Sequence, residues 1–126
     1  MPIMTMQELK KELLSDSVKN VILDTDAYNE IDDQYAIAYT MLSKDRVNLL
    51  SINAAPFLNS RSTSAGDGME KSYNEIFRIM KLVDETANIP VYRGSAEFMT
   101  DVNVPVESEA ADNIINTVMN SPILHR

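Results

Sequence analysis

Hydrophobic and polar positions alternate along this chain in two distinct rhythms. Met6, Leu9, Leu13 and Leu14 recur at helical spacing, which predicts a short leading helix over residues 6–15. Val21-Ile22-Leu23 is a brief apolar run between polar residues and reads as a buried strand. The helical rhythm returns from Ile31 to Leu42, with Ile31, Tyr35, Ala38 and Leu42 on one face and few polar residues around them, so this helix is expected to be largely buried. A second β-like run covers Val47–Ile52. Residues 59–68, NSRSTSAGDG, form a loop by composition. Met69, Tyr73, Ile76, Phe77, Met80 and Val83 mark another helix, Pro90-Val91-Tyr92 a short third strand closed by Gly94, and Ala110, Ile114, Ile115 and Val118 a last helix. Strands alternating with helices in this order predict an α/β domain with a parallel, Rossmann-like sheet and right-handed crossovers. Three strands make a thin sheet, and one edge is expected to stay open, which favours a homo-oligomer.

Composition narrows the function classes. The chain has 126 residues, one domain by length, with 44% hydrophobic and 24% charged residues, so it is a folding sequence. Its net charge of -8 disfavours nucleic acid as a partner, because that affinity rests on cations meeting phosphate. Without cysteine there are no disulfides, thiolate metal sites or thiol nucleophiles. No apolar run approaches the ~20 residues of a membrane span. The N-terminus lacks the basic-then-apolar layout of a signal peptide, so a cytoplasmic location is expected. The eight Met residues suit an adaptable core.

The chemistry concentrates in residues 21–39, VILDTDAYNEIDDQYAIAY. Asp24, Asp26, Glu30, Asp32 and Asp33 fall within ten residues. Asp24 and Asp26, two apart at a strand end, are expected on the same side at the carboxyl edge of the sheet, where α/β folds place ligands. Asp32 and Asp33 belong to the first turn of the next helix. Close carboxylates repel, and an all-oxygen set suits a hard cation such as Ca²⁺ or Mg²⁺. Ordinary capping by Asn29, with Glu30, Asp32 and Asp33 on the helix dipole, accounts for the second group but not for Asp24 and Asp26.

The segment Asp24-Thr25-Asp26-Ala27-Tyr28-Asn29-Glu30-Ile31-Asp32-Asp33 resembles the D-x-D-P-G-x-D-D signature of the inosine–uridine-preferring nucleoside hydrolases, with a turn two residues longer, and its NEIDDQ stretch resembles a divergent branch of that family. Ser51-Ile52-Asn53-Ala54-Ala55 ahead of Asn59, then Asn74, then Pro90-Val91-Tyr92-Arg93-Gly94-Ser95, resemble further family segments in the same order. The resemblance implies that Asp26 and Asp33 hold Ca²⁺, that Asp26 is the base for the attacking water, that Asp32 and Asn59 bind ribose hydroxyls, and that Asp24 supports the cluster. It implies hydrolysis of the N-glycosidic bond of a ribonucleoside. It also implies that the chain holds the N-terminal part of a longer family domain, with further Ca²⁺ ligands and a base-side His lacking counterparts here, so that activity is weak or absent and stability depends on self-association.

Two rivals stand beside it. A hydrophobic strand ending in D-x-D also opens the haloacid-dehalogenase-like phosphatases, with Asp24 as nucleophile, Asp26 as acid/base and Mg²⁺ as cofactor, though the usual Gly-Thr is absent and Asp32-Asp33 gain no role. A non-catalytic binding or assembly module is the other. Among weaker signals, Gly66-Asp67-Gly68 reads as flexible loop rather than phosphate cradle. Tyr28 suits either stacking or packing. The lone His125 sits in a terminal tail.

Overall fold

Strand β1 (Lys19–Thr25) pairs in parallel with β2 (Val47–Ala54), and β2 in parallel with β3 (Val91–Arg93), giving the sheet order β1-β2-β3. Helices α1 (Met6–Leu14), α2 (Ile31–Leu42), α3 (Ala65–Val83) and α4 (Glu109–Met119) complete the fold, which is α/β and consistent with a Rossmann-like arrangement. These elements come from a computed structural model that describes residues 4–121, and His125 lies outside them.

Register decides which residues face which helix. A bulge leaves Leu50 of β2 unpaired between the Val21–Leu49 and Ile22–Ser51 partners. Beyond it, Asp24 lies beside Asn53 and Thr25 beside Ala54. Ile52 and Ala54 turn to the side of α2 and α3 and join Ile37, Met41, Met69, Ile76, Ile79 and Met80 in the core. Ser51 and Asn53 turn the other way, where Asn113 of α4 donates to Ser51 Oγ at 2.8 Å. The sheet is thus covered by two helices on one face and by α4 on the other.

Helix α3 follows from its pattern. Ala65, Gly68, Met69, Ser72, Glu75, Ile76, Ile79 and Met80 are buried, a continuous 3.6-residue stripe. It starts earlier than its first bulky apolar residue, so Gly66-Asp67-Gly68 is helix rather than loop. Ser64 caps it, its hydroxyl accepting from the Asp67 amide at 3.0 Å, while Asp67 reaches back to the Thr63 amide at 2.8 Å. Glycine was misleading there because tertiary contact overrides propensity. The buried Glu75 carboxylate is paired with Arg78 within the same helix.

Two further expectations need correction. Helix α2 is not largely buried: Ile37 and Met41 face inward, whereas Ile31, Tyr35, Tyr39 and Leu42 are 65–75% exposed. Apolar residues run all round this helix, so periodicity selects no face. Its orientation is set instead by Asp33, which meets the β1–α2 turn, and by contact with α3. Strand β1 is only half-buried over Val21–Leu23, because it forms the open edge and α4 covers little of it. The leading helix α1 forms over Met6–Leu14 as expected and buries no residue; Thr5 and Glu8 form a capping box, Glu12 pairs with Lys19 of β1 at 3.4 Å, and Asp16 beyond the helix pairs with Arg46 at 2.7 Å.

Candidate functional site

The site grows from the carboxyl end of β1. The Ala55 amide donates to Thr25 O at 2.8 Å, which closes the sheet there. Asp26 follows, outside the ladder, and its backbone carbonyl accepts from the Asn29 amide at 2.7 Å to make a tight turn. The turn delivers the chain into α2 with Glu30 as an N-cap that makes no side-chain cap bond. One turn later Asp33 reaches back, and its Oδ2 accepts from the Asp26 amide at 3.1 Å. Two of the anticipated carboxylates are therefore brought together.

Their electrostatics follow from that closeness. Partial burial pushes the Asp26 carboxyl above its usual range, and the neighbouring Asp33 carboxyl pushes it further. Asn29 works the other way, its Nδ2 donating to Asp26 Oδ2 at 2.9 Å. The arrangement is one that a bound cation relieves. Asn29 also accepts, through Oδ1, from Asn59 Nδ2 at 2.6 Å. Asn59 in turn steadies its own loop by accepting from the Arg61 amide at 2.9 Å. A continuous polar line thus runs Asp33–Asp26–Asn29–Asn59 across the carboxyl edge of the sheet. Asn29 is a link that spacing alone does not mark, because an Asn ahead of a helix is ordinarily its cap; here Glu30 takes the cap position.

The other candidates stand apart. β1 ends at Thr25, so strand alternation does not carry Asp24 and Asp26 to one place. Asp24 is beside Asn53 on the α4 side and lines a crevice of about 220 Å³ with Gly94, Ser95, Ala110 and Ala111. Partial burial raises its carboxyl, and the facing Asn53 amide offsets part of the rise. Asn53 itself is fully buried; apart from this approach to Asp24 its Nδ2 makes no hydrogen bond, and the buried Thr25 Oγ1 makes none. Asp32 is exposed and has no hydrogen-bond partner among the described residues. Among them no three acidic or imidazole side chains converge on one point. Tyr28 is 44% exposed, with Lys71 Nζ 6.0 Å from its ring, so one aromatic face stays open beside the acidic turn. Asn74 lies away from the line, its amide donating to Glu70 O within α3.

The raised carboxyls carry a sign. A carboxyl whose folded value lies above its unfolded one binds its proton better in the native state, so its contribution to stability falls as pH rises through the raised value. Asp24→Asn is expected to raise the thermal midpoint at about pH 7.5 and to change it little below about pH 3, where the carboxyl is largely protonated in both states. Circular-dichroism melts at the two pH values check this, and an equal shift at both would refute burial as the cause.

Comparison with protein-family models, with curated proteins and with solved structures gives no match. No helix among the described residues is long and apolar enough to cross a membrane.

Proposed function

We propose that the chain is a cytoplasmic nucleoside N-ribohydrolase in which Asp26 and Asp33 hold Ca²⁺, Asp26 takes the proton of the attacking water, and Asp32 and Asn59 grip ribose hydroxyls. The convergence of Asp26 and Asp33 at the carboxyl edge of a parallel sheet, with Asp26 raised by burial and by Asp33, is the observation that carries this reading. Negative charge beside the ribose favours an oxocarbenium-like transition state. Asn29 positions both sides of the site at once, holding the Asp26 carboxylate with its amide nitrogen and the Asn59 side chain with its amide oxygen. Asp24 supports from behind, keeping a carboxyl near the strand end without sharing the Asp26–Asp33 contact. When bound, Ca²⁺ lowers the pKa of a water and orients ribose hydroxyls.

The donor set fits the ion in kind, since both side chains offer hard oxygens. It fits in number only with help: two carboxylates supply at most four of the roughly six to eight oxygens that calcium takes, and water or ribose supplies the rest. Slow turnover is therefore expected. The test is release of free base from inosine and from uridine, with Ca²⁺ and with a chelator, beside calorimetric titration of Ca²⁺ and ribose. Calcium-dependent base release supports the reading. Binding of both ligands without any release reduces the protein to a binding module. Phosphate release from a generic phosphomonoester with Mg²⁺, lost in Asp24→Asn, overturns it in favour of a phosphatase.

A further inference from the structure

A continuous exposed apolar face lies not at the acidic site but on the back of α2. Ile31, Tyr35, Tyr39 and Leu42 are 65%, 69%, 75% and 71% exposed. At about 100° per residue they share an arc of roughly 80°, with the small Ala38 at its edge. From Gln34 to Ser43 no residue is charged, in a chain whose net charge is -8. Aromatic side chains offer roughly 150–250 Å² each, so with Ile31 and Leu42 this face presents about 400–600 Å². That is at the upper end of what a monomer leaves to water.

We infer that the solvent face of α2 is an interface on which a second copy of this chain sits, helix against helix and antiparallel. Three features select that occupant. The first is charge. Glu30 and Asp32 mark the N-terminal end of the stripe and Lys44 follows its C-terminal end, so a twofold axis at the middle of α2 brings Lys44 of each copy to the Glu30 end of the other. The antiparallel helix dipoles agree with that orientation. Lys44 can reach a second copy because its side chain is 77% exposed, and its 3.6 Å ion pair with Asp84 is a surface pair that it can exchange. The second is shape. The same axis sets Ile31 opposite the second copy's Leu42 and Tyr35 opposite its Ala38, large against small. The third is area, since two such faces together bury about 1,000 Å², the threshold for a specific interface. A strongly acidic chain meets its own copy with least repulsion through an uncharged stripe.

Analytical ultracentrifugation over a wide concentration range tests this. The expected result is a reversible shift from 14.1 kDa to twice that mass. The double variant Tyr35→Glu/Tyr39→Glu is expected to stay monomeric with an unchanged circular-dichroism spectrum, because both side chains are exposed in the monomer. Lys44→Glu, counted twice across the axis, is expected to weaken the dimer about tenfold, and adding Glu30→Lys to restore it. If the tyrosine variant loses its fold, the Lys44 and Glu30 pair decides alone. A monomer at every concentration, a dimer that survives the tyrosine variant by pairing through the β1 edge, or a Lys44→Glu dimer of undiminished affinity would each overturn the inference.

Discussion

Asp26→Asn is expected to raise the thermal midpoint of the calcium-free protein while abolishing its response to calcium and its base release. The two halves have opposite signs, which makes the experiment decisive. In the free protein Asp26 is a partly buried carboxyl pressed by Asp33, and its carboxyl is raised for that reason. Replacing it with an isosteric amide removes the repulsion and keeps the Asn29 contact, since an amide oxygen accepts from Asn29 Nδ2 as a carboxylate oxygen does. Stability at neutral pH therefore rises, and the gain fades as the pH falls toward the point where Asp26 is protonated in any case. With calcium the order reverses. At a hundred times its dissociation constant the ion adds about 2.7 kcal/mol to the native state, a rise in midpoint of about 10 °C for a chain of this size. The variant keeps one carboxylate, Asp33, and loses that rise. Base release falls by about 10²–10⁴-fold, the range for removing a general base. Differential scanning calorimetry with calcium and with chelator reads the first half, and base release from inosine the second. A variant that responds to calcium like the parent would separate Asp26 from the metal and leave the acidic turn as a capping arrangement.

The elements of this fold were legible because each has an unambiguous rhythm, but their facing was legible only where polar residues break the apolar ring. Helix α3 has a polar side and an apolar side, and its inward stripe of Met69, Ile76, Ile79 and Met80 follows directly. Helix α2 has apolar residues on every side, so its sequence is compatible with any rotation. The rotation is set by packing against α3 and by the reach of Asp33 to the Asp26 amide, neither of which the apolar pattern of α2 contains. The site divides in the same way. Asp26 and Asp33 are seven residues apart, across a tight turn and the first turn of α2, a spacing that brings them together once the end of β1 and the start of α2 are recognised. Asp24 was placed beside Asp26 by strand alternation, and the strand ends one residue too soon for that rule. Asn29 and Asn53 went unassigned as site residues because neutral amides announce themselves only through their partners, Asn59 in one case and the Asp24 carboxyl in the other.

Gly68→Ala is expected to cost substantial stability, against what helix propensity suggests. In an open helix interior alanine is better than glycine by about 1 kcal/mol, so a local argument predicts a gain. The Cβ of residue 68, however, would lie 2.1 Å from the carbonyl oxygen of Phe57 and 2.9 Å from its Cδ1. A side-chain tip can swing aside, but a backbone carbonyl moves only with its segment. That segment is Ala55–Leu58, which leaves the carboxyl end of β2 with Phe57 itself only 5% exposed and carries Asn59 to the acidic turn. Relief therefore means lifting either the first turn of α3 or the strand exit, and overpacking of this kind costs about 1–3 kcal/mol, more where backbone is the obstacle. Net destabilisation of about 3 kcal/mol is expected in urea unfolding. Gly66→Ala is the control. Its Cβ would lie 2.9 Å from the Ala96 carbonyl, 0.8 Å farther than the 2.1 Å of the Gly68 case, so its cost is expected to be smaller. The two glycines share one helix turn, which separates the contact from the propensity. Because the Phe57 segment also holds Asn59, the surviving folded fraction of Gly68→Ala is expected to lose ribose affinity before it loses the Asp26–Asp33 contact, which titration with ribose and calcium separately would show. A Gly68→Ala protein as stable as the parent would mean that α3 does not approach β2 as closely as 2.1 Å requires, and the path from the sheet edge to Asn59 would then need another anchor.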